Sequence, residues 1–402
     1  MEQLHCLKNQ KFSDNEPGTL LKDFASLLDF IGSSGIPVSN KNHLVAIKLL
    51  PQLNQLMSHP LNVTLTRPQQ KSYPQINGLY LLLRASGLAT IVSEKKETKL
   101  LLNNKILASW NSMNPTERYF ALFHAWWHRG SDEIVGERPE RFSKNYFDNS
   151  LYSFLNILRD GLDVKKNLHD LTSLRYSPGL HNLALMELFG FVRIEQDAAL
   201  NKDNWPIVKI EPTAWGRALL NYFSKYATFN NLFDEAEGNQ QTEPWGYELK
   251  AYIPDWKKSL LQPDAVVIKN GVVIIKVNLG NVYRKMAVPT DISLDYLADS
   301  ILKTFNFDND HLYEFVFKNA YGITERIVHP YIEEHCGVYT SECVFGELPL
   351  YQGMELMFRF DFGDDWRFML LVESISTEDK RFPEPKVIER HGKAPEQYPE
   401  YD

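Results

Sequence analysis

One segment of this chain occurs twice, and both copies carry the same chain-reversal signal. Leu81-Leu82-Leu83-Arg84-Ala85-Ser86-Gly87-Leu88-Ala89-Thr90-Ile91 is followed by a charged stretch and the apolar run Leu100-Leu101-Leu102. Ala184-Leu185-Met186-Glu187-Leu188-Phe189-Gly190-Phe191-Val192-Arg193-Ile194 is followed by a polar stretch and Ile207-Val208-Lys209-Ile210. Gly87 aligns with Gly190, and Ile91 with Ile194. Each helical pattern ends on glycine, which has no Cβ and so accepts the left-handed conformation that closes a helix. A short strand, a polar turn and a returning strand then follow.

The flanks extend the pattern. Leu20, Leu21, Phe24, Leu27, Leu28 and Ile31 fall on one face of a helix starting near Thr19, and the Gly-, Ser- and Pro-rich stretch 32–37 breaks it. A second helix is expected from His43 to Met57, with Leu44, Ile47, Leu49 or Leu50, and Leu53 inward, interrupted by Pro51. After the second copy, Glu211 to Leu220 reads as a strand leading into a helix capped by Thr213. Helix, glycine, strand, polar wing, strand and helix together look like a winged helix-turn-helix unit, more clearly in the second copy. The expected architecture is therefore α+β and multidomain, mainly helical over its first two-thirds. Two winged-helix-like units occupy 19–112 and 113–233, and 234–271 is a linker and connector. Within the second unit, Asn114-Pro115-Thr116-Glu117 has the residues of a capping box with proline at the first helical position. The aromatic stripe Tyr119, Phe120, Phe123, Trp126 and Trp127 reads as core between the two units.

The charge is unevenly spread. Residues 1–130 hold 14 Lys+Arg against 8 Asp+Glu, a net +6, whereas residues 272–402 hold 13 against 23, a net −10. The first module could attract a phosphate backbone and the last would repel one. With 402 residues, 44% of them hydrophobic, the chain can bury several cores. Three cysteines, Cys6, Cys336 and Cys343, fit a reducing compartment rather than a disulfide framework. The N-terminus lacks a signal-peptide core and no apolar run has transmembrane length. The expectation is a cytoplasmic protein with no membrane contact.

The last third alternates differently. Val272 to Val277 and Val282 to Val288 flank Gly280-Asn281 as a hairpin, and Pro289 stops it. Ser293 caps a helix with Leu294, Leu297, Ile301 and Phe305 on one face. Strands are expected at His311–Phe317, Glu355–Phe360 and Trp366–Ile375, the last two joined by a turn at Gly363-Asp364-Asp365. This predicts a compact α+β domain, β-grasp-like, over 272–402. Three motifs stand there in order: His311-Leu312-Tyr313-Glu314-Phe315, then Phe360-Asp361-Phe362-Gly363-Asp364-Asp365-Trp366, then Gly392-Lys393-Ala394-Pro395-Glu396. With Arg284 and Val288-Pro289 of the hairpin, they resemble the plasmid pRiA ORF-three-like family, also described as an insertion-sequence passenger protein. The resemblance covers about 272–400 and rests on His311, Tyr313, Phe315, Asp361, Gly363, Asp364, Trp366 and Pro395. It implies a plasmid or mobile-element association and brings no established activity. The tail departs from the family pattern, with Glu389-Arg390-His391 before Gly392 where the family often has a cysteine.

Candidate chemistry is sparse. Asp361, Asp364 and Asp365, with His311, form the densest group; they could hold Mg²⁺ for hydrolysis, or could simply build a hairpin turn. His329, His335, Cys336 and Cys343 lack the spacing of a zinc site. Gly32-Ser33-Ser34-Gly35, Val45-Ala46-Ile47-Lys48 and Asp361-Phe362-Gly363 mimic kinase fragments without the catalytic loop. The leading expectation is a non-enzymatic protein with no cofactor. It would contact DNA through residues 1–130, using Arg67, Lys71, Arg84, Lys95, Lys96 and Lys99. Gln69, Gln70, Gln75 and Asn77 lie beside them, and a protein partner would use the acidic C-terminal domain. A purely structural interaction module and a metal-dependent hydrolase or nuclease are the alternatives.

Overall fold

The computed structural model describes residues 2–94, 97–137, 146–163, 173–197, 205–219, 249–263, 267–332, 338–377 and 382–398. Helix α1 (Glu2–Asn9) precedes α2 (Leu20–Ile31), whose six expected apolar residues are all buried. Strand β1 (Ile36–Pro37) leads to α3 (Leu50–Gln55), α4 (Pro74–Ala85), β2 (Ala89–Glu94) and β3 (Glu97–Leu102). These strands form one three-stranded sheet in the order β1-β3-β2. The helix expected from His43 is shorter than its pattern. His43 has φ +56°, Ile47–Leu49 form a 3₁₀ turn, and Ile47 is exposed. Pro51 does not interrupt α3; it sits in its first turn, where a missing N–H costs nothing.

Helices α5 (Asn104–Asn111) and α6 (Pro115–Arg129) follow, then α7 (Tyr146–Asp160), β4 (Leu162–Asp163), α8 (Leu180–Leu188), β5 (Val192–Gln196) and β6 (Ile207–Pro212). The second sheet has the order β4-β6-β5, matching the first. The internal repeat is therefore structural. Gly87 (φ +75°) and Gly190 (φ +73°) both take the left-handed conformation. Ile91 pairs with Leu100, and its counterpart Ile194 with Ile210. Thr213 caps as expected, its Oγ1 accepting from the Gly216 amide at 3.0 Å.

Two helices hold the copies together. All twelve residues of α4 are buried, and α4 lies against α8 so closely that a Cβ on Gly78 would meet Leu185 Cγ at 2.8 Å and His181 O at 2.9 Å. Helix α6 starts with the expected box: the Glu117 amide donates to Asn114 Oδ1, and the Asn114 amide to Glu117 Oε2, both at 2.9 Å. Its aromatic stripe is core. Tyr119 Oη donates to Phe189 O at 2.7 Å, and Trp126 Nε1 donates to Asn182 Oδ1 at 2.8 Å. Both acceptors belong to the second copy, so a helix lying between the repeats in sequence also joins them in space. All this lies in one compact unit, Met1–Gln262. Its end, beyond residue 249, returns to the same helix: Trp256 stacks on Phe120 at 4.2 Å, and the Lys258 amide donates to Glu117 Oε1. The expected polar linker 234–246 lies outside the described residues.

The second unit is Pro263–Asp402. Its strands are β7 (Gly271–Leu279), β8 (Val282–Pro289), β9 (Tyr313–Lys318), β10 (Thr324–Val328), β11 (Glu355–Phe360), β12 (Trp366–Thr377) and β13 (Lys386–His391). They form a seven-stranded sheet, β10-β9-β11-β12-β7-β8-β13, in which every neighbouring pair is antiparallel. Leu279 opposes Val282 across the two-residue turn Gly280-Asn281, where Gly280 takes φ +58°. Helix α9 (Leu294–Phe305) is capped by Ser293 Oγ, which accepts from the Tyr296 amide at 3.2 Å. Its apolar face is fully buried with Val273, Ile275, Val277, Phe315, Phe358 and Phe368 of the sheet. The chain is thus α+β, with helices and antiparallel sheets in both units. Among the described residues no helix is long and apolar enough to cross a membrane.

Candidate functional site

Two of the C-terminal motifs meet at one end of the sheet, around the β11–β12 turn and the approach to β9, and the residues just after the third, Gln397 and Tyr398, join them there. Asp361 directly follows β11 with φ +53° and is buried, its amide donating to Leu312 O at 3.0 Å. Its Oδ1 accepts from the amides of Gly363 (2.9 Å) and Asp364 (3.4 Å), a side chain completing a turn that the backbone alone leaves open. Its Oδ2 lies 3.4 Å from Nε2 of His311, which is exposed. From the other side comes the tail. The Gln397 amide group brackets residue 308, accepting from the Asp308 N–H at 2.6 Å and donating to its carbonyl at 3.1 Å. Tyr398 Oη donates to Asp310 Oδ2 at 2.7 Å. That bond pushes the Tyr398 phenol up to about 12 and holds the Asp310 carboxyl below its ordinary range. His311 lies between, its ring 6.1 Å from Phe360 and 6.3 Å from Tyr398.

Beside this cluster runs a chain of charges on the sheet. Buried Glu314 accepts from Arg326 Nη1 at 2.9 and 3.1 Å and lies 3.5 Å from Arg359. Arg359 and Arg367 both grip Asp365, the contact to Arg367 being 2.6 Å. Hydrogen bonds from Arg367 and then Arg359 hold the Asp365 carboxyl below its usual range. Asp364 is exposed on the turn.

The Mg²⁺ alternative would require these carboxylates to turn from their present partners. A divalent ion needs several carboxylate lone pairs aimed at one point. Here those of Asp361 are turned to backbone amides and His311, and those of Asp365 to two guanidinium groups. Among the described residues no group of three or more His, Cys, Asp or Glu side chains is placed to hold a metal. The other motif residues are structural: Phe315 is core, Tyr313 Oη donates to Asp295 at 2.9 Å, and Trp366 packs edge-on against Phe307. Pro395 is exposed on the tail. Residues 272–398 match the plasmid pRiA4b ORF-3-like protein family. The match spans the hairpin, α9, all seven strands and the tail that carries Gln397 and Tyr398. A solved structure, a protein of unknown function (MM3350) from Methanosarcina mazei Go1, is 19% identical over 30% of this chain and 70% of that one, with a TM-score of 0.28. No curated protein matches the chain. The plasmid pRiA4b ORF-3-like segment therefore contains the whole candidate site.

The nucleic-acid candidates are scattered. Arg67 is exposed, Lys71 is exposed and 3.4 Å from Glu137, and Lys99 is exposed on β3, 3.5 Å from Glu97. Lys95 and Lys96 lie outside the described residues. Arg84 is corrected: it is only 6% exposed, with Nη1 3.4 Å from Tyr80 Oη, because all of α4 is buried. Gln70, Gln75 and Asn77 are buried for the same reason, and Gln70 donates to Asn77 at 2.8 Å. Sequence reasoning missed Asp310, Gln397, Tyr398 and the Glu314–Arg326–Arg359 chain. Gln397 and its partner Asp308 are 89 residues apart, and only the fold brings them together.

Proposed function

We propose that the chain is a non-enzymatic accessory protein, plasmid- or mobile-element-associated, that works in the cytoplasm and engages a different partner through each unit. The N-terminal unit is read as a tandem of winged-helix units. Helix, short strand, helix, helix and hairpin, with the first strand beside the third, is the arrangement that supports this reading. In it DNA is held by its phosphates, through Arg67, Lys71 and the wing residues Lys95, Lys96 and Lys99. The carrying observation is where the positive charge sits. Arg67 and Lys99 are exposed on a loop and a hairpin, while α4, the helix that would read bases, is wholly buried. Phosphate contacts position a protein without reading sequence, so the binding is general rather than site-specific. The C-terminal unit is read as β-grasp-like, from the helix laid across a sheet that a hairpin opens. Its acidic surface, with Asp310 and Asp364 around His311, suits a basic protein partner.

The test is anisotropy of a labelled random duplex with the full chain, with and without Mg²⁺, the same samples being checked for cleavage. Five phosphate contacts from Arg67, Lys71, Lys95, Lys96 and Lys99 give a log–log salt slope of about −4.5, or about 500-fold weaker binding between 50 and 200 mM salt. Replacing Lys95, Lys96 and Lys99 by Ala should flatten the slope to about −2. Salt-insensitive binding, or none at low salt, would remove the DNA reading. Mg²⁺-dependent cleavage would favour the hydrolase reading instead.

A further inference from the structure

The C-terminal unit buries an arginine without giving it a carboxylate. Arg284, on β8, is only 4% exposed, and its guanidinium lies over the Phe305 ring at 4.8 Å. Nε donates to Thr304 O, in the last turn of α9, at 3.1 Å. Nη1 donates to three more carbonyls: Tyr283 O at 2.8 Å, His391 O at 3.0 Å and Gly392 O at 3.3 Å. The carbonyl dipoles at a helix C-terminus favour a cation, which accounts for Nε and Nη1. It does not account for Nη2, which makes no hydrogen bond among the described residues and is not sealed from solvent. Buried charges are ordinarily paired, and carbonyls supply only partial charge.

The neighbouring strand enlarges the imbalance. Arg390, on β13, stands directly opposite Arg284 in the register, and residues so opposed share one face of the sheet. Like charges in that relation destabilise the pair. Arg390 is exposed and has no ion-pair partner among the described residues. Burial, and then the charge of Arg390, hold the Arg284 guanidinium below its ordinary range, with no carboxylate acting against them. The adjacent acid, Glu389, is turned to the other face: it stands opposite Lys285 and takes Tyr283 Oη and Lys285 Nζ. Beyond β13, Gly392 (φ +75°) turns the chain, and the exposed Lys393 follows, also without an ion pair among the described residues. Three cations thus adjoin the end of α9 in a segment, 272–402, whose net charge is −10.

We propose that Arg284, Arg390 and Lys393 form a binding site for a phosphate group, free or carried on a small molecule. Nη2 of Arg284 supplies a donor fixed in place by burial, and Arg390, held by no other group among the described residues, turns its guanidinium onto the same anion. Guanidinium groups take phosphate oxygens through paired, charge-assisted hydrogen bonds. A phosphate monoester carries close to two negative charges near neutral pH, so it offsets the cross-strand arginine pair where a carboxylate would leave one charge over. The site is separate from the acidic surface around His311 and does not depend on a partner docking there.

The experiment is calorimetry of the full chain with inorganic phosphate, adenosine monophosphate and acetate at matched ionic strength. Either phosphate should bind and acetate should not; tighter binding of the nucleotide identifies an esterified phosphate as the ligand, and equal binding the free ion. Arg390→Ala should weaken phosphate binding at least about tenfold, the loss of one hydrogen bond to a charged group. Arg390 is exposed, so its removal leaves the core intact. Melting adds a second readout. Without phosphate, Arg390→Ala should melt no lower than the unaltered chain, because a like-charge pair is gone. Phosphate should raise the melting temperature of the unaltered chain and not of the variant. Four results would each overturn the assignment: no binding at millimolar phosphate, acetate bound as tightly as phosphate, phosphate binding unchanged in Arg390→Ala, or a lower melting temperature of that variant in phosphate-free buffer. The third would place the anion on other cations of the chain, and the fourth would mean that Arg390 is already neutralised.

Discussion

Replacing Gly78 by Ala separates two pictures of α4 by the sign of the effect. Were α4 a DNA-reading helix with an open face, Gly78 would be a surface glycine in a helix interior. Alanine there would stabilise by about 1 kcal/mol, because glycine loses more backbone freedom on folding. In the structure the added Cβ lands 2.8 Å from Leu185 Cγ and 2.9 Å from His181 O. The leucine tip can move a few tenths of an ångström, but the carbonyl belongs to α8 and moves only with that helix. Overpacking of this kind costs about 1–3 kcal/mol. Set against the propensity gain, it leaves a net loss of up to about 2 kcal/mol. Gly78→Leu, with three more heavy atoms in the same gap, should lose more. Urea unfolding of the full chain followed by tryptophan fluorescence reads this directly, since seven of the eight tryptophans precede residue 263. A stabilised Gly78→Ala variant would refute the α4–α8 packing and return the helix to the surface.

Two further substitutions probe the cores. Tyr119→Phe removes the hydroxyl that donates to Phe189 O and accepts from Trp215 Nε1, leaving two buried groups unpaired; a loss of about 1–3 kcal/mol in the same urea assay is expected. In the second unit, the folded Asp365 carboxyl is held below its unfolded value, so its contribution is present above the unfolded value and fades as pH falls through the folded one. Asp365→Asn should therefore lower the melting temperature near neutral pH and flatten its fall below about pH 4, read by circular dichroism from pH 7 to 2. An unchanged acid profile would mean that the Arg359–Asp365–Arg367 cluster adds nothing to folding.

Much of the local structure was legible because its causes are local. The capping box at Asn114 and Glu117 needs only two side chains three residues apart, and the Gly280-Asn281 turn only a glycine that accepts positive φ. The hydrophobic stripe of α9 and the Gly87–Gly190 repeat are read from spacing alone. The helix expected from His43 failed because its apolar spacing was a coincidence of short runs. Val45 instead joins a bridge to Val38, and its amide donates to Gln70 Oε1. Strands β10 and β13, an outer strand and a largely exposed one, lack the apolar alternation that marks a buried strand, and periodicity passed over them.

The candidate site divides the same way. The carboxylate spacing and the motifs marked Asp361 and His311 as one group and the tail only as a separate motif. They did not say that Asp361 would be spent on two backbone amides or Asp365 on two arginines. Arg84 illustrates the limit most sharply: a cation on a helix that ends in a hairpin invites a DNA contact, and burial against another part of the chain removes it. A sequence records which side chains are available and how often they recur along a helix or strand. Which face is covered, and which charges are already neutralised, depends on contacts between residues that can lie more than a hundred positions apart, and those exist only once the chain has closed on itself.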